Sequence, residues 1–412
     1  MTAAPLPHVT VIGIGADGWS VLPEASRTRL CGATVLLGGR RHLAMVPHVD
    51  GQVRHAWPSP MANLPDLLAA HPEDDVVALA SGDPYLSGVA TTLRRHLGDR
   101  LTVVPAVSSV ALARARMGWA AEETEVITLV GRAPDVVRRE LAPGRRLLVL
   151  SSDETTPATV AATLAEEGCG ASRLTVLGDL GAPEESRVAG TAAEVARWGR
   201  HLPRLHVLAI EVAGAGRSSW APGLADDRFD HDGQLTKRDV RASALARLAP
   251  RPGELLWDVG AGAGSVAIEW LRAHRTCRAV AVEDRPERAC RIRHNAGRLG
   301  VPSLEVVRGR APAALTDLPA PDAVFVGGGA TEPGLLDRCR DALAPGGRLV
   351  VHGVTLETEQ LLVAAYASHG GELTRLAVEQ AAPIGERFTG WQPARAVTQW
   401  AWHKPTVLGG ER

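Results

Sequence analysis

The chain has 412 residues, 45% hydrophobic and 22% charged, with a formal net charge of -1. That length exceeds one ordinary domain and points to two or three. The near-zero charge argues against a nucleic-acid or membrane-surface partner. No stretch approaches the roughly 18 apolar residues of a spanning helix, and the start "MTAAPLPHVTVIGIG" lacks the basic and long apolar regions of a secretory signal. Cys31, Cys169, Cys277, Cys290 and Cys339 are scattered and never spaced C-x-x-C. That pattern predicts no disulfide framework, no metal site and a reducing, cytoplasmic setting.

In chain order, the first strand candidate is "HVTVIGI", followed by "ATVLLG", "DVVALA", "LTVVPAV", "EVITLV", "RLLVLS", "RLTVLG" and "LHVLAIEV". Between them lie stretches of helical spacing such as "SGVATTLRRHL" and "ATVAATLAEEG". This alternation predicts parallel or mixed sheets with helices on their faces. "AGAGRSSWAPG", 213–223, reads as a linker. A fresh α/β pattern then begins at Thr236, with strands "ELLWDVG", "RAVAVED", "LEVVRG", "DAVFVGG" and "RLVVHGV" and a late pair around "ELTRLAVEQA" and "ARAVTQWAW". The predicted organisation is a domain over 1–212, a linker over 213–225 and a second domain over 226–412.

Two glycine-rich stretches compete as nucleotide sites. "VIGIGADGW" carries Gly13, Gly15 and Gly18 in G-x-G-x-x-G spacing. A dinucleotide loop needs an acid about 20 residues later. None stands between Gly32 and Pro47, and Pro23 displaces the helix start. The second stretch, "LLWDVGAGAGSVAIEWL", puts Gly260, Gly262 and Gly264 at alternate positions between a buried strand ending at Asp258 and a helix. Glycines there allow a tight turn and close ligand approach, and the helix start offers free N–H groups. Glu283 ends the next strand, placed to accept from ribose hydroxyls. "LTKRDVRASALARL" reads as a helix start with Thr236 as N-cap. Lys237 is one of only two lysines, the other being Lys404.

D-x-G-x-G-x-G resembles motif I of the class I S-adenosylmethionine (SAM) methyltransferases. "DDRF…LTKRDVRA", "WDVGAGAGSVAIEW" and "VFVGGGAT" together resemble the cobalamin-pathway precorrin methyltransferase/decarboxylases of the CbiT type. In the first half, "LASGDPYLSG" followed by "VPAVSSVALARARMGW" resembles the tetrapyrrole methylases, the class III SAM methyltransferases, and "LLGGRRHL", "LVGRAPD" and "LGDLGAPEESRVAGTAAEVA" resemble their CbiE branch. Fusion of both in one chain resembles the CobL type of decarboxylating precorrin methyltransferases.

The resemblance implies a class III unit of two α/β subdomains, then a Rossmann-like class I unit, with one SAM site in each and two per chain. It implies a precorrin substrate and a homo-oligomer, dimer or tetramer. The implied cofactor residues are Gly15, Ser81, Gly82, Asp83, Pro84, Ser108 and Ser109 in the first unit. In the second they are Thr236, Asp258, Gly260, Ala261, Gly262, Ala263, Gly264, Glu283, Arg310, Ala311 and Gly327. Decarboxylation requires groups that hold carboxylates and supply a proton; the candidates are Lys237, Arg241 and His231. Asp17 and Trp19 are expected near the first unit's substrate. The implied reaction methylates precorrin-6B at carbons 5 and 15 and removes the ring C acetate carboxyl, giving precorrin-8. Two other readings stay open here: a cobalt-containing or different tetrapyrrole substrate, and one unit acting as a non-catalytic scaffold.

Overall fold

The computed structural model describes residues 6–199, 201–216 and 219–406. The chain divides into two compact units, one of 1–134 with 142–216 and one of 135–141 with 217–412. The short stretch Asp135–Leu141 thus groups with the second unit, although the sequence places it inside the first domain. Of the expected linker, residues 217 and 218 lie outside the described residues.

The first unit has two sheets. β1 (Val9–Ile14), β2 (Val35–Gly38), β3 (Val53–Ala56), β4 (Val76–Ser81) and β5 (Leu101–Val104) form a parallel sheet ordered β3-β2-β4-β1-β5. β1 is buried along its whole length, as a central strand with both faces covered must be. β6 (Thr124–Thr128), β7 (Arg146–Leu150), β8 (Arg173–Gly178), β9 (Ser186–Thr191) and β10 (His206–Glu211) form a mixed sheet ordered β6-β7-β10-β8-β9. Only the β6–β7 pair in it is parallel.

The second unit is one seven-stranded sheet. It contains β11 (Leu255–Val259), β12 (Arg278–Glu283), β13 (Glu305–Arg308), β14 (Ala323–Val326), β15 (Arg348–Gly353), β16 (Glu372–Leu376) and β19 (Val397–His403). A separate hairpin, β17 (Glu379–Ile384) and β18 (Phe388–Pro393), lies between the last two in sequence. The order is β13-β12-β11-β14-β15-β19-β16, parallel through β15 with β19 antiparallel to both its neighbours. Trp257, Val259, Val280, Val324 and Trp400 build one core layer, and Leu256, Ile268, Trp270, Phe325 and Val350 build the other. Among the described residues no helix is long and apolar enough to cross a membrane.

The predicted helix start at Thr236 is corrected. The helix runs Arg238–Leu248 with Lys237 as N-cap, and no side chain caps it. The Thr236 carbonyl instead accepts from Arg241 Nη1 at 2.6 Å, which fixes the incoming chain by a different bond.

Two candidate active-site clefts

In the second unit the glycines turn the chain from β11 into the helix Ser265–Ala273, with φ of +69° at Gly260, +59° at Gly262 and +76° at Gly264. A Cβ at Gly260 would stand 2.8 Å from the Gly328 carbonyl oxygen, so the turn and the strand end after β14 touch backbone to backbone. The turn is held from β12: Gly260 and Ala261 N–H donate to the Val282 carbonyl at 3.0 and 3.2 Å. The two Glu283 oxygens accept from Gly262 N–H at 2.9 Å and Arg285 N–H at 3.1 Å. Each oxygen keeps a lone pair for a ligand hydroxyl. Burial holds the Glu283 carboxyl above its ordinary range, opposed by the two backbone bonds.

Gly260, Ala261, Gly262, Glu283, Arg310, Ala311, Gly327, Thr236 and Lys237 all line one cavity of about 950 Å³. That volume suits a cofactor plus part of a larger substrate. Five of the expected residues lie behind the lining. Ala263 turns its carbonyl to Asn295 Nδ2 at 3.0 Å. Gly264 sits against Ile292. His231 is committed to a local turn, its Nδ1 accepting from Gly233 N–H at 3.0 Å. Asp258, 1% exposed, accepts through Oδ2 from Ala267 N–H at 3.0 Å, so it anchors the helix after the glycine turn rather than meeting ligand.

Arg241 is the largest correction. Its side chain is fully buried, and its guanidinium donates to Glu269 at 2.6 Å, Asp226 at 3.2 Å and the carbonyls of Thr236 and Leu224. It also lies over the Phe229 ring, 4.7 Å from the centroid. Glu269 in turn accepts from Gly223 and Leu224 N–H at 2.6 and 3.0 Å. Arg241 therefore pins the entry segment to the core, and Thr236 and Lys237 reach the cavity because of it. Lys237, half exposed, is 3.8 Å from Asp226. Residues the sequence did not flag also line this cavity: His352 at the end of β15, Gln380 and Gln392 on the hairpin, and Arg395 after it. A histidine at the end of the apolar run Leu349–Val351 was the available signal for the first; the hairpin carried none.

Asp258 gives a pH prediction. Burial, with Glu283 adding to it, pushes its carboxyl up to about 7 from an unfolded value of 3.8. Its Oδ1 has no hydrogen-bond partner among the described residues. A raised folded pKa contributes stability that is full below about pH 4 and lost as pH rises toward about 7, on the order of a few kcal/mol. Asp258→Asn cannot ionise and keeps the Ala267 bond. Urea melts of the variant should be flatter between pH 4 and 8 than those of the parent; parallel curves would count against the argument.

The first unit holds its own cleft. β4 runs into Gly82-Asp83-Pro84, where the Asp83 carboxylate accepts from Tyr85 N–H at 2.9 Å. Gly82 N–H donates to the Ile14 carbonyl at 3.0 Å, and its own carbonyl accepts from Ala106 N–H at 3.0 Å. Ser108 caps the helix Ser109–Met117 through Ala111 N–H at 3.1 Å. A Cβ at Gly13 would lie 1.9 Å from the Gly82 oxygen. The G-x-G-x-x-G glycine is thus a strand residue that lets the Gly-Asp-Pro turn cross β1. Gly15, Ser81, Gly82, Asp83, Ser108 and Ser109 line a cavity of about 350 Å³, closed on its other side by residues such as Leu177 and His206 of the mixed sheet. Pro84 is buried behind it, while Asp17 is exposed. Trp19 packs on the core cluster of Ile12 and Ile14, so neither Asp17 nor Trp19 lines this cleft.

The sheet order and the two motif-lined clefts define a SAM-dependent methyltransferase built from a tetrapyrrole-methylase unit and a class I unit. Family profiles agree: residues 8–196 match "Tetrapyrrole (Corrin/Porphyrin) Methylases" and 227–404 match "Precorrin methyltransferase domain". The chain is 46% identical over 402 residues to the precorrin-6Y C(5,15)-methyltransferase [decarboxylating] of Sinorhizobium sp, covering 97% of each. It is 46% identical to that of Mycobacterium tuberculosis, over 95% of this chain and 99% of the relative. Among solved structures, the C-terminal domain of precorrin-6Y C5,15-methyltransferase from Rhodobacter capsulatus is 48% identical, with a TM-score of 0.43, over 45% of this chain and 100% of that one. The chain belongs to the precorrin-6Y C(5,15)-methyltransferase (decarboxylating) family.

Proposed function

We propose that each unit holds one SAM and carries out its own methylation, the first at carbon 5 and the second at carbon 15 with loss of the ring C acetate carboxyl, together converting precorrin-6B to precorrin-8. The observation that carries this is the pair of separate motif-lined clefts, one in each unit. When bound, SAM supplies a methyl group activated by its sulfonium. In the second unit Glu283 would accept from the ribose hydroxyls, and the glycine turn would accept the cofactor at van der Waals distance. In the first unit the Gly-Asp-Pro turn and the Ser108–Ser109 helix start would do so.

A meso carbon conjugated to ring nitrogens is already nucleophilic, so the chain's task is to orient and to exclude water. Lys237, on the cavity wall and beside Asp226, is the group to steady a substrate carboxylate or return a proton to the decarboxylated carbon. Arg241 and His231 leave that list, being committed to the structure around them. Calorimetric titration of the full chain with S-adenosylhomocysteine should give two sites per chain. One site would favour a single catalytic unit beside a scaffold.

A further inference from the structure

"LLGGRRHL", one of the stretches that resemble the CbiE branch, brings a cation and an imidazole to the first cleft: Arg41 and His42 both line it. Arg41 Nη2 donates to His42 Nε2 at 3.0 Å and sits 3.5 Å from Ser81 Oγ. His42 Nε2 is also 3.0 Å from Ser81 Oγ. A guanidinium can only donate, so the Nε2 lone pair is the acceptor. Burial, reinforced by the Arg41 charge, pushes the imidazole down to about 4. It therefore stays neutral and holds the guanidinium without repelling it.

Among the described residues no carboxylate lies within ion-pair distance of Arg41; Asp179 acts on it only from farther away. The rest of the wall is largely aliphatic, with Leu86, Leu112, Leu150, Leu177 and Leu180 among its residues. Arg41 is itself solvent-exposed, and a guanidinium at the mouth of such a wall can pair its parallel N–H groups with a planar anion.

We propose that Arg41 binds a carboxylate of the ligand in this cleft and that His42 is a positioning residue that aims it. This rests on the reading that the first unit methylates a tetrapyrrole. Two carboxylates are available, those on the macrocycle rim and the one on the amino-acid end of the cofactor.

The test uses the full chain. Precorrin-6B methylation is read at carbon 5 by mass spectrometry, and S-adenosylhomocysteine binding is read by calorimetry. Arg41→Ala should raise the KM for precorrin-6B at carbon 5 about ten- to a hundred-fold, with kcat little changed and homocysteine-analogue affinity intact. Loss of that affinity by a similar factor instead would assign Arg41 to the cofactor carboxylate and equally support a carboxylate site. His42→Ala should share the KM effect. His42→Asn, whose amide oxygen still accepts from Arg41, should restore much of it; a merely structural role predicts no such rescue pattern in KM. Esterifying the substrate's carboxylates should erase the difference between parent and Arg41→Ala when the rim carboxylate is the ligand. Arg41→Ala with parent KM and parent cofactor affinity overturns the proposal. If a chain carrying Gly13→Ala still methylates carbon 5, the reading of the first unit fails instead, whatever Arg41 does.

Discussion

Arg241→Met should lower the stability of the second unit by about 3–5 kcal/mol, because it strips the partner from a buried carboxylate. Glu269 would keep its bonds from Gly223 and Leu224 N–H but lose the guanidinium 2.6 Å away. The carbonyls of Thr236 and Leu224 would lose their donor as well. In a unit of this size the change corresponds to a melting shift of about 10 °C. Adding Glu269→Gln should recover part of the loss, since the stranded charge rather than the missing bond makes the larger contribution. Scanning calorimetry of the single and double variants measures this. A variant that melts like the parent yet has lost decarboxylation would return Arg241 to the catalytic role that its place in the sequence suggested.

Gly13→Ala should remove the first cofactor site while sparing the second. The added Cβ would meet the Gly82 oxygen at 1.9 Å and Ala106 nitrogen at 2.7 Å, both backbone atoms. The Gly-Asp-Pro turn and the chain leading to Ser108 must both shift, which costs several kcal/mol at such a contact. Titration with S-adenosylhomocysteine should fall from two sites to one. Gly32→Ala, at a position with nothing within 4 Å of the new Cβ, should keep two.

These residues show what the sequence could and could not convey. Strand runs buried on both faces, such as "VTVIGI" and "LLWDV", announce themselves by a largely apolar character that a single polar residue, Thr10 or Asp258, interrupts. Edge strands do not: Val53–Ala56 is half polar with no buried residue and is a strand because it pairs with β2. Ser186–Thr191 likewise owes its form to β8. "ELTRLAVEQA" reads as one strand, yet it ends in β16 and restarts as β17, since only the first part pairs with β19. The glycine turn and Glu283 were legible because spacing along the chain sets their chemistry. Arg241 misled because its partners, Asp226 and Glu269, come from different segments, and a buried clamp and a substrate-binding cation look alike in one dimension. Arg41 and His42 stood in a motif whose purpose emerged only when β4 brought Ser81 beside them.

The central claim is that the two clefts perform separate methylations. It is tested most directly by mass spectrometry of the product from precorrin-6B and SAM with Gly13→Ala or Gly260→Ala in the full chain. Gly260→Ala sets a Cβ 2.8 Å from the Gly328 oxygen at a φ of +69°. It should abolish methylation at carbon 15 and leave the acetate carboxyl in place. Gly13→Ala should give a product methylated at carbon 15 that has lost it. Loss of carbon-15 methylation and decarboxylation in Gly13→Ala, with that variant still folded and still binding S-adenosylhomocysteine at its second-unit site, would contradict the account, as would their retention in Gly260→Ala.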